Sequence, residues 1–466
     1  MAQRFVACDR AQSFLMPPDV RDWLPEDHLA WFVIDAVGEM DLDVFYAAYR
    51  LDGRARPAYD PAMMVALLLY AYARGTRSSR AIERGCEEDV AFRVLAAQQR
   101  PDHATIARFV ERHQDAIAGL FGEVLSLCAK NGLVKVGVIA VDGTKLPGNA
   151  SRNANVDYEQ LAREILQEAQ AVDAAEDELY GEARGDELPE QLRTGEGRRA
   201  WLREAKRQLE AQRAKEARPV ARSRGKRLRE AKRRLDEELW SELRANRAYE
   251  HYRTGRMKDG RRFGRPPDPY TPPALPRGQI NITDPDSRVV KGSRGRGFMQ
   301  GYNAQAVANE HQIVIAAEVM TVAPDFGHLE PMLDAAQREL DAAGVTEVPQ
   351  VLIADAGYWH QQQMERIVDQ GITVLIPPDA KSRKGTRPGW DGGLYAFMRR
   401  VLASDRGGEL YGQRQAIIEP VFANTKFNRG IDRFRRRGRA AVRTEWRLIT
   451  ATHNLLKLHR HATAAA

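Results

Sequence analysis

The chain has 466 residues, 43% of them hydrophobic and 29% charged, and its three cysteines (Cys8, Cys86, Cys128) are scattered, which excludes a disulfide scaffold and a thiolate zinc site. The longest apolar run, near Met63–Ala73, is far short of a membrane span and the N-terminus has no apolar signal-like core, so a soluble cytoplasmic protein is expected, with no membrane partner. The net charge of +7 is gathered in blocks: 13 Asp/Glu against 3 Arg over 156–196, 24 Lys/Arg against 11 Asp/Glu over 196–265, and 8 Lys/Arg against Asp432 alone over 424–443.

Residues 1–133 read as an all-helical region. Asp60-Pro61 has the form of an N-cap with a first-turn proline, and the apolar stretch Met63–Tyr72 follows it. Short helices begin at Ser78-Ser79 and at Glu87-Glu88-Asp89. Asp102 caps a longer one carrying Ile106, Phe109, Val110, Ile117, Leu120, Phe121, Val124 and Leu127 at helical spacing. Such a series suits either a helix-turn-helix-like DNA-binding module or a plain helical bundle.

At 134 the period changes. Val134, Val136, Val138, Ile139 and Val141 form a β-branched run ending in Asp142-Gly143-Thr144-Lys145, the pattern of a buried strand with an acid at its carboxyl end. Residues 153–278 then interrupt it with a charged helical insertion. Helices are predicted over 198–217 and 226–248, with Trp201 and Trp240 as packing anchors, and six prolines make 264–278 an extended linker.

From 279 to 458 the strand signals return. Tyr302–Ala308 and Gln312–Val319 read as a hairpin, Leu329–Leu340 as a helix and Val351–Ala354 as a buried strand ending in Asp355. Gln361–Asp369 follows as a helix, Ile372–Ile376 as a strand, 410–426 as a helix containing Pro420, and Thr444–Leu458 as a final helix before a tail over 459–466. Strands alternating with helices predict an α/β core with a mixed sheet.

Two strands that each end in Asp point to one sheet edge, where sites form in open α/β folds. A pair of carboxylates there either caps the turns that follow or holds a divalent cation alongside a substrate phosphate. Tyr411, Arg414, Glu419 and Lys426 share one predicted helix. Glu419 and Lys426 are seven apart, so they fall within about 20° of each other on the wheel, whereas Arg414 is about 140° from Glu419. The basic blocks 198–234 and 426–443 suit either a phosphate backbone or a solvated charged face.

Taken in order, the motifs resemble those of the DDE transposases of bacterial insertion sequences. They are Asp142-Gly143-Thr144, Asn281-Ile-Thr-Asp284-Pro285-Asp286-Ser287, Gly301-Tyr302-Asn303-Ala304-Gln305-Ala306, Ala354-Asp355-Ala356-Gly357-Tyr358, and Glu419-Pro420-Val421-Phe422 followed by Lys426. Upstream, Pro61–Tyr72, Ser78–Glu83 and Pro101–Phe109 are similar to that group's helical N-terminal domain.

The resemblance implies an RNase H-like catalytic core, split by the charged insertion, in which Asp142, Asp355 and Glu419 are the catalytic metal ligands for two Mg²⁺ ions, with Mn²⁺ substituting. It implies DNA phosphate contacts from Tyr411, Arg414, Lys426 and Lys145, and reading of element ends by the N-terminal helices, where Arg77, Arg80 and Arg84 are candidates. The activity implied is cleavage of double-stranded DNA at element ends and strand transfer by a nucleoid-associated dimer or larger assembly. A nuclease without strand transfer, or an inactive DNA-binding relative, is the alternative.

Overall fold

The computed structural model describes residues 19–49, 58–180, 224–254, 278–292, 297–322, 324–379 and 390–465. They fall into two compact units, one built from Met1–Asn149 with Val290–Ala466 and the other from Ala150–Val289.

The first unit opens with helices α1 (Leu29–Gly38), α2 (Asp43–Ala47) and α3 (Pro61–Ala73). Asp60 caps α3 by accepting the Ala62 N–H at 2.8 Å, and Pro61 takes the first helical position, where its missing N–H costs nothing. Helix α3 is apolar all round because every residue from Met64 to Ala73 is buried. Helices α4 (Ser79–Glu88) and α5 (Val90–Leu95) follow, the latter capped by Asp89. The single helix expected after Asp102 is divided at His113 into α6 (His103–Arg112) and α7 (Gln114–Lys130). The His113 ring packs against Phe45, Tyr49 and Phe109 there, an aromatic contact that local periodicity does not encode. Strand β1 (Val138–Pro147) then leads towards the second unit.

That second unit joins a two-residue ribbon, β2 (Asn155–Val156) with β3 (Ile280–Asn281), to helices α8 (Tyr158–Tyr180) and α9 (Arg224–Thr254). Its core is small: Val156, Leu161, Leu228, Ala231, Leu235 and Ile280. The expected helix 198–217, Trp201 and most of the proline-rich linker lie outside the described residues. Trp240 is 61% exposed rather than a packing anchor. In the described part of the basic block 198–234, several cations face carboxylates of their own unit: Arg233 meets Glu230 at 2.6 Å and Glu237 at 2.5 Å, Lys232 meets Asp236 at 2.8 Å and Arg224 meets Glu164 at 2.8 Å. Helical i,i+3 and i,i+4 spacing brings most of these pairs together.

The chain re-enters the first unit at Val290, within β4 (Arg288–Lys291); β4, β5 (Phe298–Asn309), β6 (Val314–Met320), β7 (Val351–Ala354) and β8 (Thr373–Leu375) complete with β1 a six-stranded mixed sheet ordered β4–β5–β1–β7–β8, with β6 also pairing β5. The β1, β5 and β6 strands are antiparallel neighbours, while β1, β7 and β8 run parallel. This is the strand arrangement of an RNase H-like core. Helices α10 (Leu329–Ala342) and α11 (Gln361–Asp369) provide the connections between β6 and β8, and α12 (Gly393–Ala403), α13 (Asp405–Ala423) and α14 (Arg439–Ala465) complete the fold. Helix α14 packs on α3, α7 and β6 and continues through the expected tail at 459–465. Trp446, buried on α14, donates its indole N–H to the Gln305 carbonyl at 2.8 Å. One continuous hydrophobic core thus runs from the N-terminal helices into the sheet. No described helix is long and apolar enough to cross a membrane.

Candidate active site

Strand β1 does not stop at Asp142 as its sequence suggests but runs on to Pro147, paired throughout with β5. What stops there is its parallel neighbour: the β1–β7 ladder closes with Val141 opposite Ala354. Asp142 therefore sits at the point where the sheet loses a strand, and Asp355 leaves β7 beside it. Each carboxylate is fixed by a local amide. Asp142 Oδ1 accepts the Gly143 N–H at 2.7 Å, and Asp355 Oδ1 accepts the Gly357 N–H at 2.8 Å. Burial pushes the Asp142 carboxyl up to about 6; Arg414 opposes this and the Asp355 charge adds to it. Burial likewise raises Asp355, with Arg414 and Lys145 pulling the other way.

Arg414 comes from α13. Its Nη1 donates to Asp142 Oδ2 at 2.9 Å, and its Nη2 lies 3.6 Å from Glu419 Oε1. The five-residue offset between Arg414 and Glu419 does not separate them, because a helical wheel locates Cα atoms while a guanidinium reaches well beyond its own turn. Tyr411, one turn earlier, has its phenol raised by burial and feels the charges of Arg414, Asp355 and Asp142. Asp142, Asp355, Arg414 and Tyr411 are thus brought together, and Glu419, half-exposed, joins them through Arg414.

Helix α13 passes through Pro420 unbroken. Proline cannot donate to the Ala416 carbonyl four residues back, and the Gln312 side-chain amide donates to it instead at 2.8 Å. After Ala423 the chain widens into a π-turn over Asn424–Asn428, so the expected helix 410–426 changes form before Lys426. From this turn Lys426 Nζ donates to Thr144 Oγ1 on β1. Lys426, Thr144, Lys145, Glu419 and Phe427 line a cavity of about 590 Å³.

A fourth acid, Asp325, has no place in the sequence-derived set. It follows β6, and its Oδ1 accepts hydrogen bonds from Asn303 Nδ2 and Gln305 Nε2, both at 2.8 Å. Its negative charge bears on Asp142 and Asp355. The cluster needs a glycine at 143: a Cβ there would lie 2.8 Å from Asp325 Oδ1 and closer still to the Gln305 amide nitrogen. Tyr358, buried, donates its hydroxyl to Gln305 Oε1. The available signal was Asn303 and Gln305 at alternate positions of a strand, two amides on one face that require an acceptor.

The N-terminal arginines divide. Arg77 is not at the surface: its side chain is 3% exposed, pairs with Glu445 at 2.7 Å and donates to the Arg433 carbonyl at 2.8 Å. Arg80 and Arg84 on α4 are exposed. The basic stretch 426–443 divides too. Arg429 is buried against the carbonyls of Tyr72 and Ile449, while Arg433, Arg435 and Arg437 are exposed on the loop that follows.

Among the described residues, no three Asp, Glu, His or Cys side chains converge as a ready metal cage. The donor set itself fits a hard divalent cation: two partly buried carboxylates side by side, one of them already meeting a positive charge, the guanidinium of Arg414.

Residues 277–455 match the family model described as Transposase DDE domain, and residues 18–112 match that described as Transposase domain (DUF772). No curated protein and no solved structure matches the chain.

Proposed function

The chain belongs to the DDE transposases, and from that premise we propose that it cuts double-stranded DNA at the ends of a mobile element and joins the freed 3′-hydroxyl to target DNA. The observation that carries this reading is the placement of Asp142 and Asp355 side by side where the β1–β7 ladder ends, with Arg414 tying Asp142 to Glu419.

In this reading Asp142, Asp355 and Glu419 would hold Mg²⁺ or Mn²⁺, two ions per site, which would supply Lewis acidity for phosphodiester chemistry. The chain's own contribution is placement. Lys145, Lys426, Arg414 and Tyr411 surround the acids with donors that suit phosphate oxygens. The tie from Lys426 to Thr144 fixes one of these donors against the strand that carries Asp142. The two acids, each oriented by a backbone amide, keep one carboxylate oxygen turned away from it. Arg80 and Arg84 are exposed on a helix whose other face is packed, and they contact the element end. Because two ends must be joined, the working form is a dimer or larger assembly on DNA.

The test is a cleavage and joining assay on a plasmid that carries the gene's flanking DNA, with Mg²⁺ or Mn²⁺. Wild type should cut and join. Asp142→Asn, Asp355→Asn and Glu419→Gln should do neither while still binding DNA. Cutting without joining would replace this reading with a nuclease, and binding without cutting would replace it with an inactive relative.

A further inference from the structure

Asp142 has two carboxylate oxygens, and both are engaged. Oδ1 holds the Gly143 N–H, and Oδ2 holds Arg414 Nη1 at 2.9 Å. The same guanidinium lies 3.6 Å from Glu419. A single organic cation thus lies between two of the three acids assigned to the metal. It is well shielded, its side chain 14% exposed, so its pairing is screened far less than a surface ion pair would be.

We propose that Arg414 is an internal counter-ion: it competes with the divalent cation for Asp142 until a DNA phosphate draws its guanidinium away, so that cation loading and DNA engagement are coupled. The inference rests on the assignment of Asp142, Asp355 and Glu419 as metal ligands.

The competition follows from the geometry. With Oδ1 committed to the backbone, Oδ2 is the oxygen that a cation would take, and Arg414 holds it. The exchange partner is a phosphate because the region beside the guanidinium already favours one. Glu419, next to Arg414, lines the cavity that also presents Lys145 and Lys426. A phosphodiester there would meet two ammonium groups and offers a guanidinium a bidentate alternative to a carboxylate. The coupling must be reciprocal: whatever factor DNA adds to cation affinity, the cation adds to DNA affinity.

The experiment measures Mn²⁺ binding to the full chain by titration calorimetry, with and without a short DNA duplex, and monitors folding by thermal denaturation. Wild type should bind Mn²⁺ weakly alone, and at least about fivefold more tightly with the duplex. Arg414→Gln should bind Mn²⁺ at least about fivefold more tightly than wild type without DNA, and the duplex should add little. Arg414→Lys keeps the charge but not the bidentate fork, so without DNA it should bind Mn²⁺ as weakly as wild type while gaining less from the duplex, which separates loss of the counter-ion from general disturbance. If Arg414→Gln binds Mn²⁺ no better than wild type, or Arg414→Lys behaves like Arg414→Gln, the counter-ion role is overturned while the metal centre stands. If Asp142→Asn and Asp355→Asn leave Mn²⁺ binding unchanged in both the wild-type and Arg414→Gln backgrounds, the assignment of the centre itself falls.

Discussion

Arg77 and Glu445 form an ion pair at 2.7 Å with side chains 3% and 0% exposed, joining the segment that precedes α4 to α14 across most of the chain. Glu445 also accepts the backbone N–H groups of Arg435 and Arg436, at 2.9 and 3.0 Å, so one carboxylate fixes both the N-terminal helices and the basic loop. Removing either partner leaves a buried charge without its counter-ion. Arg77→Ala and Glu445→Gln should each destabilise the chain by about 3–5 kcal/mol in chemical denaturation. Variants that unfold at wild-type denaturant concentrations but lose DNA binding would return Arg77 to the interface.

Asp325 offers a second expectation. Two strand amides donate to its Oδ1, so Asp325→Ala leaves both without their acceptor, whereas Asp325→Asn keeps an acceptor and loses only the charge. Asp325 reaches Asp142 and Asp355 through its charge, and outer groups around the acids of a metal site typically contribute about 10–100-fold to activity or affinity. Single-turnover cleavage should fall by about that factor in Asp325→Ala and by less in Asp325→Asn. Equal losses would mean that the charge matters and the two hydrogen bonds do not.

These two residues show where the sequence was legible. Asp142 and Asp355, which stand side by side where the β1–β7 ladder ends, could be singled out as candidates because each follows a run rich in β-branched residues, and strand period is a local property. The α/β core with a mixed sheet followed from the order of such runs, while its RNase H-like character came from the resemblance of the motifs. Asp325 could not be found that way: Pro324-Asp325-Phe326-Gly327 has the composition of a turn, and its role depends on amides some 20 residues earlier. Arg77 misled for a similar reason. An arginine among others near a helix start reads as surface charge, and its partner is 368 residues away. The reach of Arg414 across α13 was hidden because angular position on a wheel says nothing of side-chain length.

His453 should make the fold sensitive to acid. Burial drives its imidazole from the ordinary 6.5 down to about 3, so it is neutral in the folded chain. The neutral ring donates from Nε2 to the Gln312 carbonyl at 2.9 Å and accepts at Nδ1 from Asn424 Nδ2 at 3.0 Å. Between about 3 and 6.5 the unfolded chain binds the extra proton, so stability rises with pH across that window. The contribution is complete above 6.5 and is lost as the pH falls. At about pH 5 the loss is about 2 kcal/mol. Unfolding free energies of wild type and His453→Asn, measured at about pH 7 and 5, should differ in their pH dependence by about that amount, because every other titrating group cancels. Identical pH dependence would mean that the buried ring is protonated without cost.

Gln312 and Pro420 test how α13 carries Glu419 past a proline. The helix needs a donor for the Ala416 carbonyl, and the Gln312 amide supplies it at 2.8 Å because Pro420 has no N–H. In the native background Gln312→Ala should cost about 0.5–1.5 kcal/mol for that bond, together with whatever its other contacts contribute. Pro420→Ala restores an N–H in register with Ala416, and with it the ordinary helical bond. In that background Gln312→Ala should cost less, and the double-mutant cycle isolates the difference as the energy of this bond alone. A coupling near zero would mean that solvent satisfies the Ala416 carbonyl equally well, and that α13 tolerates Pro420 without help from the β5–β6 turn. A clear coupling would make Gln312 part of the support that holds Glu419 in the helix with Arg414.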